Sequence, residues 1–372
     1  MQVTRRQLLQ AGLLATAGLV IPALGRTADN SKENLLLSSV TDKDDKNWWV
    51  LSDSQGNILA QHLLPGRGHG SARHPSGKSA VIVGRRPATF MSVVEVSPQG
   101  EYKFTDLTSA TGRHFFGHAV YSVDGKFIYT TENDFDNGRG VIVVRDISND
   151  YKVIAEWESG GIGPHELRMM PDGHTLVIAN GGILTRPDQP REKLNLDTMK
   201  PNLAYLDTRT GEMLSKHELP DHQLSIRHID VADTGRVWIG CQYEGMALDP
   251  MPLVYHHDLN QGGLQAAEAS MDTWRALKHY TGSVVADNQQ GIIGISSPRG
   301  DRVTFWDNQS GKHLQDIKLR DVCGLIPSPN GKQFVATTGK GDIAIIDAQT
   351  LAVTSESRTP ELHWDNHLQV LA

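Results

Sequence analysis

Cysteine is nearly absent: Cys241 and Cys323 are the only two in 372 residues. Two distant thiols do not make a disulfide scaffold, and without CxxC or CxxCH spacing there is no cysteine zinc knuckle or c-type haem attachment. They fall in different parts of the repeat described below, so no bridge is expected between them. Also missing are the GxSxG elbow, the phosphate-binding Walker loop and HExxH. No basic run stands out in a chain of net charge −7, which makes nucleic acid and anionic membranes poor partners. Long helical patterns are scarce. The one candidate, residues 264–278, reads as a short insertion within a repeat.

The only long apolar run lies at residues 11–24, short of the roughly 20 residues needed to span a bilayer. Arg5 and Arg6 precede it and small residues follow, the pattern of a secretory signal, here of twin-arginine type, with a plain Sec signal that happens to carry adjacent arginines as the alternative. The expectation is a signal peptide over residues 1–28, export to the periplasm, and a soluble remainder without a membrane span. Removing that segment takes away three arginines and no acid, so the remainder is more acidic still.

What the chain has instead is glycine, 36 residues of it, placed periodically. GHGSARHPSGKSAVIVG (68–84), GHAVYSVDGKFIYTT (117–131), PHELRMMPDGHTLVIAN (164–180), RHIDVADTGRVWIG (227–240), GSVVADNQQGIIGIS (282–296) and VCGLIPSPNGKQFVATT (322–338) share one plan. Each is a short strand, a glycine turn and a β-rich strand, which is a hairpin signature. Most continue into a third strand ending in Asp146, Asp207, Asp307 or Asp347, then a fourth apolar stretch. Four short strands per unit point to propeller blades. Residues 34–64 supply three more strands and residues 367–372 a lone one, together a seventh blade. The fold expected for residues 29–372 is therefore all-β: a single seven-bladed β-propeller of four-stranded blades, closed by pairing N-terminal strands with a C-terminal strand. Two loops exceed what a blade requires, residues 183–200 and 243–253.

Histidine keeps a register in this repeat. His69, His118, His165 and His228 precede the turn glycine of their units by seven or eight residues, and His367 takes that place in the closing blade. Ser283, with His279 nearby, and Cys323 occupy the other two. First strands line a propeller's channel, so five imidazoles would ring one mouth of it. Imidazole is a ligand for Fe, Cu and Zn, which makes these five candidate metal ligands. The competing reading is that blades of common ancestry share a His that caps a strand. Cys323 reads as a small buried apolar residue. Near the same mouth Glu166, Arg113 and Arg227, with Arg186 and Arg191 in the long loop, are candidates for binding a carboxylate or a chelated metal. Arg85, Arg86, His114, Glu132 and Asp134 extend that polar set, while solvated charge at loop ends is the plain alternative.

GGIGPHEL (160–167), ANGGI (179–183), RPDQPREKLNLDTM (186–199) and TENDFDNGRGVIVVRD (131–146) resemble the DUF1513 family over essentially the whole exported part. That resemblance implies an exported bacterial seven-bladed propeller of unassigned activity. It also implies partners among imelysin-type iron-regulated proteins and di-haem periplasmic proteins, beside which members are commonly encoded. The motifs map onto Gly161, Gly163, Pro164, His165 and Glu166, and onto Arg186, Arg191 and Asn195. The function expected is binding or accessory work in metal, chiefly iron, acquisition through a His-rich site at the channel mouth. The alternatives are a metal-dependent propeller enzyme (hydrolase or oxidoreductase) and a docking scaffold for those partners.

Overall fold

The computed structural model describes residues 35–97, 100–190, 192–246, 250–259 and 261–371. The segment 1–28 and Arg191 lie outside the described residues. Among the described residues, no helix is long and apolar enough to cross a membrane.

Seven four-stranded antiparallel sheets stand in a ring. Blade 1 joins both ends of the described chain: Leu362–Val370 is its inner strand and pairs with Leu36–Asp42, followed by Asn47–Ser52 and Ile58–Leu63. The inner strands of blades 2 to 7 are Gly68–Arg73, Arg113–Tyr121, Pro164–Met169, Leu224–Val231, Val284–Asp287 and Val322–Pro327. Each inner strand packs against the next around the ring, and the last meets Leu362–Val370. Ring closure leaves no inner sheet edge free to pair with another chain.

Local chemistry accounts for the repeat. Asp124 Oδ1 accepts from the Lys126 amide, and Asp172 Oδ1 from those of His174 and Thr175. These bonds shape the turn between first and second strands. The acids that end third strands do the same one turn later: Asp207 accepts from Arg209 N, Asp307 from Ser310 N and Asp347 from Thr350 N. Such Asx turns let a short carboxylate satisfy backbone donors that leave the ladder. Between blades, alternating apolar residues such as Val177, Leu203, Ile229 and Ile239 bury completely. The aromatic residues Trp49, Trp238 and Trp306 fill the wider outer spaces.

Both long loops lie where expected, between the second and third strands of blades 4 and 5. In the first, Asn195 donates to Gly182 O at 2.8 Å and accepts from Leu184 N at 2.6 Å, tying the loop to its own exit. The stretch 264–278 differs from expectation. Gln265–Ala266 is the outer strand of blade 5, and only Met271–Ala276 is helical, capped by Ser270 and seated by buried Trp274.

Candidate metal centre

The shared register has a structural cause that the repeat pattern does not reveal. In blades 1, 2, 3, 4, 5 and 7 the inner strand slips register at the channel-lining position: around His367, His69, His118, His165, His228 and Cys323. A bulge leaves a residue unpaired and turns its side chain out of the pleat. His367, His69, His118 and His165 are among the unpaired residues, whereas in blade 5 Arg227 is unpaired and His228 pairs with Gly240. Blade 6 alone keeps a regular ladder, from Val284 onward. At its entrance the Ser283 hydroxyl donates to the carbonyls of Cys323 and Asn366. Ser283, rather than His279, therefore holds the register in that blade.

The five histidines converge into one packed group. Ring centroids are 4.7 Å apart for His69 and His367, 5.0 Å for His69 and His118, 5.2 Å for His118 and His165, and 4.7 Å for His165 and His228. Across the channel His118 and His228 lie 4.5 and 4.8 Å from His367. Ligand atoms of His69, His118 and His165, and of His118, His228 and His367, fall within 4.8 Å of one another. Two glycines make this approach feasible. Gly117 sits at φ +114°, and a Cβ there would lie 2.6 Å from His69 Cδ2. A Cβ on Gly70 would lie 2.7 Å from His118 Nδ1.

The group is not at a mouth, as the sequence suggested, but inside the channel. His69, His118 and His228 are at most 3% exposed. Asn366 and Cys323 on these inner strands, with Arg67 just before that of blade 2, line a cavity of about 470 Å3 at one end. Ser71–Arg73, Leu325–Pro327 and an edge of His367 line one of about 690 Å3 at the other.

Two buried carboxylates orient the rings. Asp365 accepts from His69 Nδ1 at 3.0 Å and from Arg67 Nε at 2.6 Å. Glu166 accepts from His228 Nδ1 at 3.1 Å, from the Ile229 amide at 3.2 Å and from Arg168 at 2.6 Å, and lies 3.6 Å from His118 Nδ1. A carboxylate only accepts, so Nδ1 carries the proton and Nε2 of His69 and His228 keeps its lone pair. Burial, then the neighbouring imidazoles and arginines, drives His118, His165, His228 and His367 well below their ordinary value. His69 is lowered too, because desolvation outweighs Asp365. Burial alone would raise the Asp365 carboxyl, but the His69 hydrogen bond and the charges of Arg67 and Arg85 hold it far below the carboxylate range. The rings are therefore neutral nitrogen donors. His118 Nε2, His165 Nδ1 and His367 Nε2 are buried with no hydrogen-bond partner.

The other expected site residues are placed differently. Arg227, 5% exposed, adjoins the cluster. Arg113 pairs with Asp134 at 2.8 Å and with Glu156. Arg186 pairs with Asp188 in the exposed loop. Glu132 and Asp134 belong to the second strand of blade 3. Glu132 binds Arg145 at 2.9 Å inside the blade, and Asp134 binds Arg113 and Arg139. Cys323 donates to Asp321 O, and burial pushes its thiol up to about 12. Sequence reasoning missed Asp365, Arg67 and Arg168. The only local signal was polarity within apolar inner strands.

A family model described as "Protein of unknown function (DUF1513)" matches residues 62–371. Among solved structures, a chain of hydrazine synthase from Kuenenia stuttgartiensis superposes with a TM-score of 0.60 over 91% of this chain and 100% of that one. At 14% identity it shows the fold alone. Among curated proteins, the small ribosomal subunit biogenesis GTPase RsgA of Pectobacterium atrosepticum is 31% identical over 130 residues. That is 35% of this chain and 32% of the GTPase, so the chain spans about a third of that relative's length.

Proposed function

The chain belongs to the DUF1513 family, and we propose that it is a metal-binding propeller whose five channel histidines hold one transition-metal ion. The carrying observation is the set of three buried, unpartnered imidazole nitrogens beside two rings whose Nδ1 is held by carboxylates. An orphaned buried polar atom costs roughly 1–3 kcal/mol, and a metal ion would satisfy all of them at once. Metal–imidazole bonds of about 2.0–2.1 Å place opposite ligands roughly 4 Å apart, so ligand atoms within 4.8 Å need only rotamer-scale contraction. The two triads share His118, whose Nδ1 faces Glu166. That leaves it a single donor atom and favours one ion over two.

An all-imidazole set without thiolate or carboxylate donors suits Cu and Zn ahead of Fe on intrinsic affinity. The iron-acquisition role implied by the family resemblance, and its periplasmic setting, thus become outcomes of the metal analysis. Purified protein is analysed for metal, stripped, and titrated with Zn(II), Cu(II) and Fe(II). One equivalent bound by wild type and lost in the His118→Ala, His165→Ala double variant supports the reading. Wild type that binds none of the three metals refutes it.

A further inference from the structure

At the cavity of about 470 Å3, three guanidinium groups form no ion pair with an acid among the described residues. Arg85 lines its wall with Tyr280. Arg86 and Arg227 stand behind that wall: both guanidinium groups feel Arg85 and Tyr280, which line it, and Arg86 also feels Arg227. Arg227 is 5% exposed and its buried Nε has no hydrogen-bond partner. Among the described residues, the acids whose charge reaches these arginines, Glu244 for Arg86 and Arg227 and Asp365 for Arg85, are already paired with other cations. Asp365 holds Arg67, Glu244 holds Lys193, and Asp321 lies 3.7 Å from Lys340. Burial and its two neighbours push Arg86 down to about 10, still protonated at neutral pH. Like charges gathered out of water without a partner oppose folding, so a ligand that neutralises them is the simplest account of why they persist.

We propose that Arg85, Arg86 and Arg227 form a receptor for a small polyanion of the di- or tricarboxylate class, seated at the end of the channel next to the histidine cluster. Planar guanidinium forks match carboxylates two bonds at a time. Three forks arriving from two blades, after the second strand of blade 2 and on the inner strand of blade 5, call for more than one acidic group. The cavity's size suits a metabolite rather than a peptide. Arg299, stacked 4.6 Å over the Tyr280 ring, adds a fourth cation at the rim. This inference rests on the arginines and stands whether or not the histidines bind metal.

The test therefore uses the metal-stripped full chain, so that chelation by the probe cannot mimic binding. Calorimetry with citrate, and separately with inorganic phosphate, is run at fixed ionic strength with chloride as the blank. One equivalent of citrate is expected, weakened at least tenfold in Arg86→Met and in Arg227→Met. Arg275→Met, on the exposed helix face, should leave it unchanged. If Arg227→Met does not fold, Arg85→Met on the cavity wall takes its place. Phosphate binding without citrate binding overturns the carboxylate assignment. Citrate binding that is insensitive to the arginine variants, or absent, overturns the site.

Discussion

Acidifying metal-free protein should destabilise it through the histidine cluster. His118, His165, His228 and His367 all sit well below their ordinary value of 6.5 when folded and return to it when unfolded. Below 6.5 the unfolded chain thus binds more protons than the native one. Stability rises with pH in that window and is lost as pH falls. Each ring costs about 1.4 kcal/mol at one pH unit below 6.5, so the four together cost roughly 5–6 kcal/mol at about pH 5.5. That is comparable to the whole stability of a typical domain. His256 and His257, also lowered by burial, act in the same direction. Asp365, with its lowered carboxyl, matters only below its unfolded value of 3.8. A control that removes ring protons isolates the cluster. Urea midpoints are measured at about pH 7.5, 6.5 and 5.5 for wild type and for His118→Gln, His165→Gln. Wild type should lose about 3 kcal/mol more than the variant between pH 7.5 and 5.5, the share of two rings, about 2 of it over the last unit. Saturating Zn(II) should remove most of the difference. Equal slopes for the two proteins would mean the rings are not held neutral, and the account of the cluster would fail.

Other substitutions separate the parts of the site. Glu166→Gln leaves His228 Nδ1 without its carboxylate acceptor, and should weaken metal binding by about 10–100-fold, read by competition with a chromophoric chelator. Glu132→Gln strips buried Arg145 of its partner and should cost about 3–5 kcal/mol in urea unfolding, while the folded fraction binds metal as wild type does. Weakened affinity there would place Glu132 in the site after all. Gly117→Ala forces a side chain onto a left-handed backbone against His69, costing about 1–3 kcal/mol and shifting the spectrum of a bound Cu(II) or Co(II) ion. Deleting residues 362–372 removes the inner strand of blade 1 together with Asp365 and His367, and should abolish cooperative thermal unfolding followed by circular dichroism.

The blades were legible because their determinants are local. Asp172 with Gly173, or Asp307 four residues before Gly311, bends the chain through hydrogen bonds spanning two to four residues, and alternation of apolar residues assigns the faces. Histidine register was legible for the same reason, since equivalent positions in equivalent hairpins face one axis. Residues 160–182 illustrate the boundary. Their hairpin, and the position of His165 on an inner strand, follow from sequence. What Glu166 does there does not: it accepts from His228 across a separation of 62 residues while also pairing with Arg168 two positions on. Asp365 reaches His69 over 296. Such pairings depend on ring closure, which brings both ends of the described chain into one sheet, and on bulges, which no local pattern specifies. Depth was decided the same way. Sequence placed the histidines on the channel wall, but only the packing of seven inner strands set them inside it, buried, neutral and partly unpartnered. The sequence by itself determined the propeller and the row of imidazoles; the tertiary structure decided which carboxylates steer them and which arginines gather beside them, because those contacts join different blades and residues far apart in the chain.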